Sequence, residues 1–362
     1  MARLDAILRL VQEQGASDLH MTTGAPPMVR INGEITPIPY EELTREINEM
    51  LLYEIMDPAT RARFEENKDV DFSYEVPGVI RVRCNIYEQS KGVAGAFRIL
   101  PSRIPTVDEL LLPEMLLHLT DVPRGLVLVT GPPGTGKSST LAALLDHLNC
   151  TKRKHIVTIE DPIEFKHQNK LSLVTQREVG RNTPSFAQAL RAVLREDPDV
   201  IMVGEMRDAE TILLALSAAA TGQLVFGTVH TMSAIQAVDR VLDSFDGERQ
   251  AQVRLMLAES LRGVIAQRLL RRIDGIGRAL ALEVLLGTPS VAAVIRERKT
   301  FQLPTVMTTG KREGMRSMDD AVYTLLREGV IDFAEASVHV INREGLDGYG
   351  ESHDGPSHRE AA

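Results

Sequence analysis

Residues 126–148 read LVLVTGPPGTGKSSTLAALLDHL. An apolar run passes directly into glycines and then into apolar positions at helical spacing, so the stretch reads as strand, tight loop and helix. Gly131, Gly136, Lys137 and Ser138 stand in the G-x-x-x-x-G-K-[ST] spacing. Gly131, Pro132, Pro133, Gly134, Thr135 and Gly136 then form a phosphate cradle, and Lys137, Ser138 and Ser139 open the helix behind it. Glycines let successive backbone N–H groups turn inward around a phosphate, Lys137 brings a point charge to the β and γ oxygens, and the Ser138 hydroxyl can ligate Mg²⁺. The pattern specifies a nucleoside triphosphate with Mg²⁺. It says less about the base, and ATP is the default.

Outward from this loop, strand-like and helical runs alternate. LVLVT at 126 is followed by a helix, HIVTI at 155 leads to a helix from Pro184, DVIMV at 199 to one from Ala209, and LVFGTV at 224 to one from Ser233. Such alternation implies an α/β domain whose mainly parallel sheet is covered by helices. The helix from Pro184 expects Thr183 as its cap, with Phe186, Leu190, Val193 and Leu194 on one face.

The N-terminal part differs. Leu4, Ile7, Leu8 and Val11 share a helical face, Asn32-Gly33 separates two short alternating runs as in a hairpin, and a helix is expected near 43–56. The stretch DFSYEVPGVIRVRCNIYEQSKGVAGAFRIL reads as three strands joined at Pro77-Gly78 and near Lys91-Gly92. The expected division is an α+β domain at 1–100, a proline-rich linker at 101–113, the α/β domain at 114–347 and a disordered polar tail at 348–362 with solvated histidines.

Composition narrows the partners. With 41 Lys+Arg against 50 Asp+Glu, the net charge of −9 gives no general reason to expect nucleic acid or an anionic membrane surface. Cys84 and Cys150 cannot build a disulfide framework or a four-ligand zinc site and are expected to be ordinary packed residues. No signal-peptide segment and no run of about 18 apolar residues is seen, so a soluble cytoplasmic protein without membrane insertion is expected.

The remaining chemistry lies at strand ends, where a parallel sheet places its ligands. In DPDVIMVGEMRD, at 197–208, the aspartate that usually ends such a strand and holds the metal is replaced by Gly204. Glu205 can act as general base or orient water, or it can be a solvated acid or the partner of Arg207. HIVTIEDPIEF offers Glu160, Asp161 and Glu164. Glu160 and Asp161 can reach the Mg²⁺ shell or form a polar strand end before Pro162. LVFGTVHT brings Thr228, His230 and Thr231, suited to sensing a γ-phosphate or linking it to a neighbouring subunit, although a lone strand-end histidine is more often structural.

Four motifs together carry a family resemblance across nearly the whole chain: GPPGTGKS, TIEDPIEF, LREDPDVIMVGEMRD and TGQLVFGTVHT, with QGASDLH, PRGLVLVTGP and TQREVG. The sequence resembles the type IV pilus retraction ATPases, the PilT family of secretion-type hexameric motors. The resemblance implies a RecA-like ATPase domain behind a PAS-like N-terminal domain, a homohexamer, and ATP hydrolysis that drives pilus retraction and twitching motility. It implies Glu205 as catalytic base, Glu160 and its acidic neighbours around metal and water, and His230 near the γ-phosphate. It also implies that Arg83 and Arg98, which otherwise read as exposed strand residues, reach the nucleotide as arginine fingers do. The implied partner is the inner-membrane platform protein of the pilus machine, met at the cytoplasmic face of the inner membrane.

Three departures stand out. Pro133 and Thr135 replace the more usual loop residues, Gln223 replaces the first histidine of TGHL, and SVAAVIRERK at 290–299 carries Ala292 and Ala293 where retraction motors usually have Arg-Asn. Rival readings are a PilU-type accessory paralogue, a pilus-assembly or type II secretion ATPase, and a RecA-like DNA translocase using RLLRR at 268–272 as its basic patch. That basic run is read instead as a contact with another subunit or the pilus machinery.

Overall fold

The computed structural model describes residues 2–31 and 33–346. The polar tail expected from Gly348 lies outside the described residues, as does Asn32 of the expected turn. The chain forms two compact units: residues up to Ile104 together with Pro162–Lys166, and Pro105–Asp161 together with the residues from His167 onward.

The first unit runs α1 (Leu4–Glu13), β1 (Asp18–Met21), β2 (Met28–Ile31), β3 (Glu34–Pro37), α2 (Arg45–Tyr53), α3 (Pro58–Asn67), β4 (Asp69–Val76), β5 (Ile80–Gln89) and β6 (Gly92–Leu100). Its six strands lie in the order β3-β2-β1-β6-β5-β4, with antiparallel neighbours. The apolar face expected of α1 is the one buried, through Leu4, Ile7, Leu8 and Val11. Ile80, Val82, Cys84 and Ile86 alternate into the same core along β5, which turns Arg81 and Arg83 to the opposite face. Within this unit Arg81 donates to the carbonyls of Ile163 and Glu164.

The second unit opens with α4 (Glu114–Asp121) and continues β7 (Gly125–Thr130), α5 (Lys137–Thr151), β8 (His155–Glu160), β9 (Leu173–Glu178), α6 (Phe186–Val193), β10 (Val200–Val203), α7 (Ala209–Thr221) and β11 (Leu224–Val229). Then follow α8 (Ala234–Asp243), α9 (Gly247–Ser260), β12 (Leu261–Arg271), β13 (Arg278–Leu286), α10 (Pro289–Arg296), α11 (Leu303–Thr309), α12 (Met318–Arg327) and α13 (Phe333–His339). The sheet order is β13-β12-β7-β11-β10-β8-β9, parallel except for the β12–β13 hairpin.

All six residues of β7 are buried, because helices cover both faces. Leu126 and Leu128 face the core shared with α6 to α10, while Val127 and Val129 face the one shared with α4 and α5. Each fully buried side chain of this size contributes about 1.5–3 kcal/mol relative to exposure, so strands this apolar are held on both sides of the layer. Ser185, not Thr183, caps α6, by accepting from the N–H of Gln188. Pro184 thereby falls before the cap. Cys84 is buried, but Cys150, near the end of α5, is exposed, contrary to the expectation that both are packed.

Candidate active site

The phosphate loop leaves the buried end of β7 and enters α5 at Lys137. Gly131, Gly134 and Gly136 all have positive φ, at 146°, 77° and 85°. At Gly131 the requirement is also steric: a Cβ would lie 2.5 Å from the carbonyl oxygen of Gln267 and 2.7 Å from Thr135 Oγ1. The Lys137 ammonium donates to the carbonyls of Gly131 and Pro132, at 2.8 and 2.9 Å, so the cation is held beside the loop it serves. The N-terminus of the fifteen-residue α5 adds its dipole to the same place.

Glycine at the end of β10 has a local cause. Val203 is registered on Ile159 across β10 and β8, and the N–H of Gly204 donates to the Ile159 carbonyl at 2.7 Å. A Cβ on Gly204 would stand 3.1 Å from that carbonyl oxygen and 3.3 Å from Glu160 Cα. An aspartate would need the neighbouring backbone to give by a few tenths of an ångström. Glu160 ends the neighbouring strand at this level, only 8% exposed, and its Oε1 accepts from Thr158 Oγ1 at 2.6 Å and Gln176 Nε2 at 3.0 Å.

Glu205 follows in the turn after β10, where its Oε1 meets Arg207 Nε at 2.5 Å and His230 Nε2 at 3.0 Å. The salt bridge to Arg207, one alternative for this acid, is thus present together with the histidine. Burial raises the pKa of Glu205, but the Arg207 hydrogen bond and the positive fields of His230, Arg207 and Lys137 prevail and hold the carboxyl below the ordinary glutamate range. The influence of Lys137 on this carboxyl ties the strand-end glutamate to the phosphate loop. Thr231 closes the arrangement by donating its N–H to Thr130 Oγ1, the last residue of β7, at 2.9 Å. Thr228 Oγ1 donates to the Gly204 carbonyl. Together these contacts bring β7, β8, β10 and β11 to one end of the sheet, with a phosphate-binding loop, two carboxylates and a histidine.

Other expected residues lie elsewhere. Asp161 is exposed, and its charge acts on Arg207. Glu164 groups with the first unit. Arg83 and Arg98 also belong to that unit, where they are direct cross-strand partners on β5 and β6. Arg83 pairs with Asp71 at 3.3 Å and Arg98 with Asp18 at 3.0 Å. In the RLLRR run, Arg268 donates to the His339 carbonyl and Arg272 pairs with Asp274, so two of its three cations are engaged within the unit. Gln267, buried beside the phosphate loop, was not singled out by any motif.

A family model for type II/IV secretion system proteins matches residues 2–317. The chain is 51% identical over 325 residues to the type IV pilus retraction ATPase PilT of Pseudomonas aeruginosa, covering 90% of this chain and 94% of that protein. The chain belongs to the PilT family of type II/IV secretion proteins. Identity to the type IV pilus ATPase PilU of the same organism is lower, 39% over 335 residues, with 92% of this chain and 88% of that protein covered. The crystal structure of the pilus retraction motor PilT with bound ADP matches at a TM-score of 0.88 and 46% identity, over 96% of this chain and 99% of that one. The α/β unit is therefore the RecA-like domain of a PilT-family ATPase, preceded by its N-terminal α+β domain. Among the described residues, no helix of this PilT-family chain is long and apolar enough to cross a membrane.

Proposed function

We propose that this chain is the motor that hydrolyses ATP to retract type IV pili, working as a homohexamer at the cytoplasmic face of the inner membrane against the platform protein of the pilus machine. One observation carries the reading: a complete phosphate loop stands beside Glu205, whose carboxyl is held ionised, in a chain 51% identical to a PilT over 94% of that protein.

In the proposed mechanism, Lys137 and the backbone N–H groups of residues 131–138 hold the β- and γ-phosphates. Glu205 accepts a proton from the attacking water as its oxygen bonds to the γ-phosphorus and the bond to the β–γ bridging oxygen breaks. His230, which shares Oε1 of Glu205, senses the γ-phosphate and limits how that carboxylate turns. Mg²⁺ would need one or two protein oxygens here. The Ser138 hydroxyl at the start of α5 and the carboxyl of Glu160 are such a donor set, with Asp161 as an outer acid. When bound, the ion neutralises charge on the β and γ oxygens. Arg83 and Arg98 supply the finger cations, so turnover depends on the N-terminal domain.

The PilU-type accessory reading is the nearest alternative, and the higher identity to PilT weighs against it. Ala292 and Ala293, which depart from the usual retraction segment, lie half-buried on α10, while Val291 and Ile295 anchor that helix to the core. Deletion with complementation tests the direction of the motor. Surplus surface pili without twitching support retraction, and loss of pili would sink it.

A further inference from the structure

We propose that Gln267 is a positioning residue of the nucleotide site, which sets the orientation of the Thr135–Gly136 peptide and so aims the Gly136 N–H at phosphate. Gln267 lies on β12, one residue beyond the Ala266↔Thr130 pairing with β7. The sheet therefore delivers it alongside the loop, 132 residues away in sequence from its partner. The residue is 1% exposed, and its Nε2 donates to the Thr135 carbonyl at 2.6 Å.

The consequence follows from peptide geometry. In a trans peptide the C=O and the next N–H point in opposite directions. Drawing the Thr135 oxygen toward β12 therefore turns the Gly136 N–H the other way, into the cradle. Without that restraint the peptide can flip and present a carbonyl to an anion. A second contact acts at the other end of the loop, where the backbone oxygen of Gln267 occupies the space a Cβ on Gly131 would need. From β13, Arg278 adds a longer hydrogen bond, 3.4 Å, to the Gly134 carbonyl.

The amide is an expensive way merely to fill space. Among the described residues its buried Oε1 has no hydrogen-bond partner, a cost that methionine of similar size would avoid. The donor end is the part with work to do.

Gln267→Met removes the donor and keeps the bulk, while Gln267→Glu keeps the shape and puts negative charge at the cradle. In the full-length assembled protein, fluorescent mant-ADP should bind Gln267→Met about tenfold more weakly, and the KM for ATP should rise by about the same factor while kcat at saturation stays within about threefold. Gln267→Glu should bind more weakly still. The melting temperature of Gln267→Met without nucleotide should match or exceed the parent's, which separates positioning from support of the sheet. Binding within about threefold of the parent in Gln267→Met overturns the proposal. So does loss of the native far-UV CD spectrum in both variants, which would make the residue one that serves the sheet alone.

Discussion

Gly204 stands so close to Glu160 that a Cβ on the glycine would lie 3.3 Å from the glutamate Cα. The two residues occupy matching ends of neighbouring parallel strands, and the shorter approach, 3.1 Å to the Ile159 carbonyl, is to backbone that cannot rotate away. Restoring the aspartate common in other phosphate-loop enzymes should therefore not restore a metal ligand. Gly204→Asp is expected to destabilise the protein by about 1–3 kcal/mol through overpacking, measured by urea denaturation, and to lower ATPase activity. A variant as stable and active as the parent would mean that β8 yields at this point.

Glu205→Gln keeps the hydrogen-bonding shape and removes the base. Turnover should fall by about 10²–10⁴-fold, while mant-ADP affinity stays close to that of the parent because the phosphate loop is untouched. Parent-like turnover would remove Glu205 from the role proposed for it.

Arg207 holds Oε1 of Glu205 at 2.5 Å and helps keep the carboxyl ionised against the opposing effect of burial. The sign is that of a depressed acid: the stability this pair contributes is present above the unfolded pKa and is lost as pH falls through the lower, folded one. Arg207→Ala removes the hydrogen bond and one positive field, so the carboxyl titrates at higher pH. The acid limb of the kcat profile should move upward in pH, and a limb that stays in place would assign it to another group.

Arg83 and Arg98 separate structural from functional roles. Their ion pairs with Asp71 and Asp18 involve exposed guanidinium groups, worth about 0.2–1 kcal/mol each. Arginine-finger action predicts that Arg83→Ala and Arg98→Ala lose about 10³-fold or more in turnover with little change in melting temperature. Asp71→Ala and Asp18→Ala should change neither by much. If the aspartate variants lost activity as steeply as the arginine variants, the pairing itself would be the requirement.

Much of this is legible in the sequence alone. The phosphate loop lies within one short run of sequence, and its chemistry depends on consecutive residues. The strands around it are buried on both faces, so their apolar runs are nearly continuous and end where the polar residues of the site begin. The cap of α6 was misplaced because Thr183, Pro184 and Ser185 all suit a helix start, and only the N–H of Gln188 decides among them. Cys150, expected to be packed, is exposed near the end of α5, one turn after Asp146, to which its thiol donates.

By itself, then, the sequence determined a nucleotide-binding α/β domain behind an α+β domain, with acidic and histidine candidates at strand ends. Those features come from local spacing and from the two periodicities of helix and strand. Tertiary structure alone decided what crowds a side chain at Gly204, which groups share Oε1 of Glu205, that Arg83 faces Arg98, and that Gln267 bonds to the loop. The physical reason is the strand order β13-β12-β7-β11-β10-β8-β9. It sets segments side by side that are far apart in the chain, and no periodicity along the sequence encodes which of them will touch.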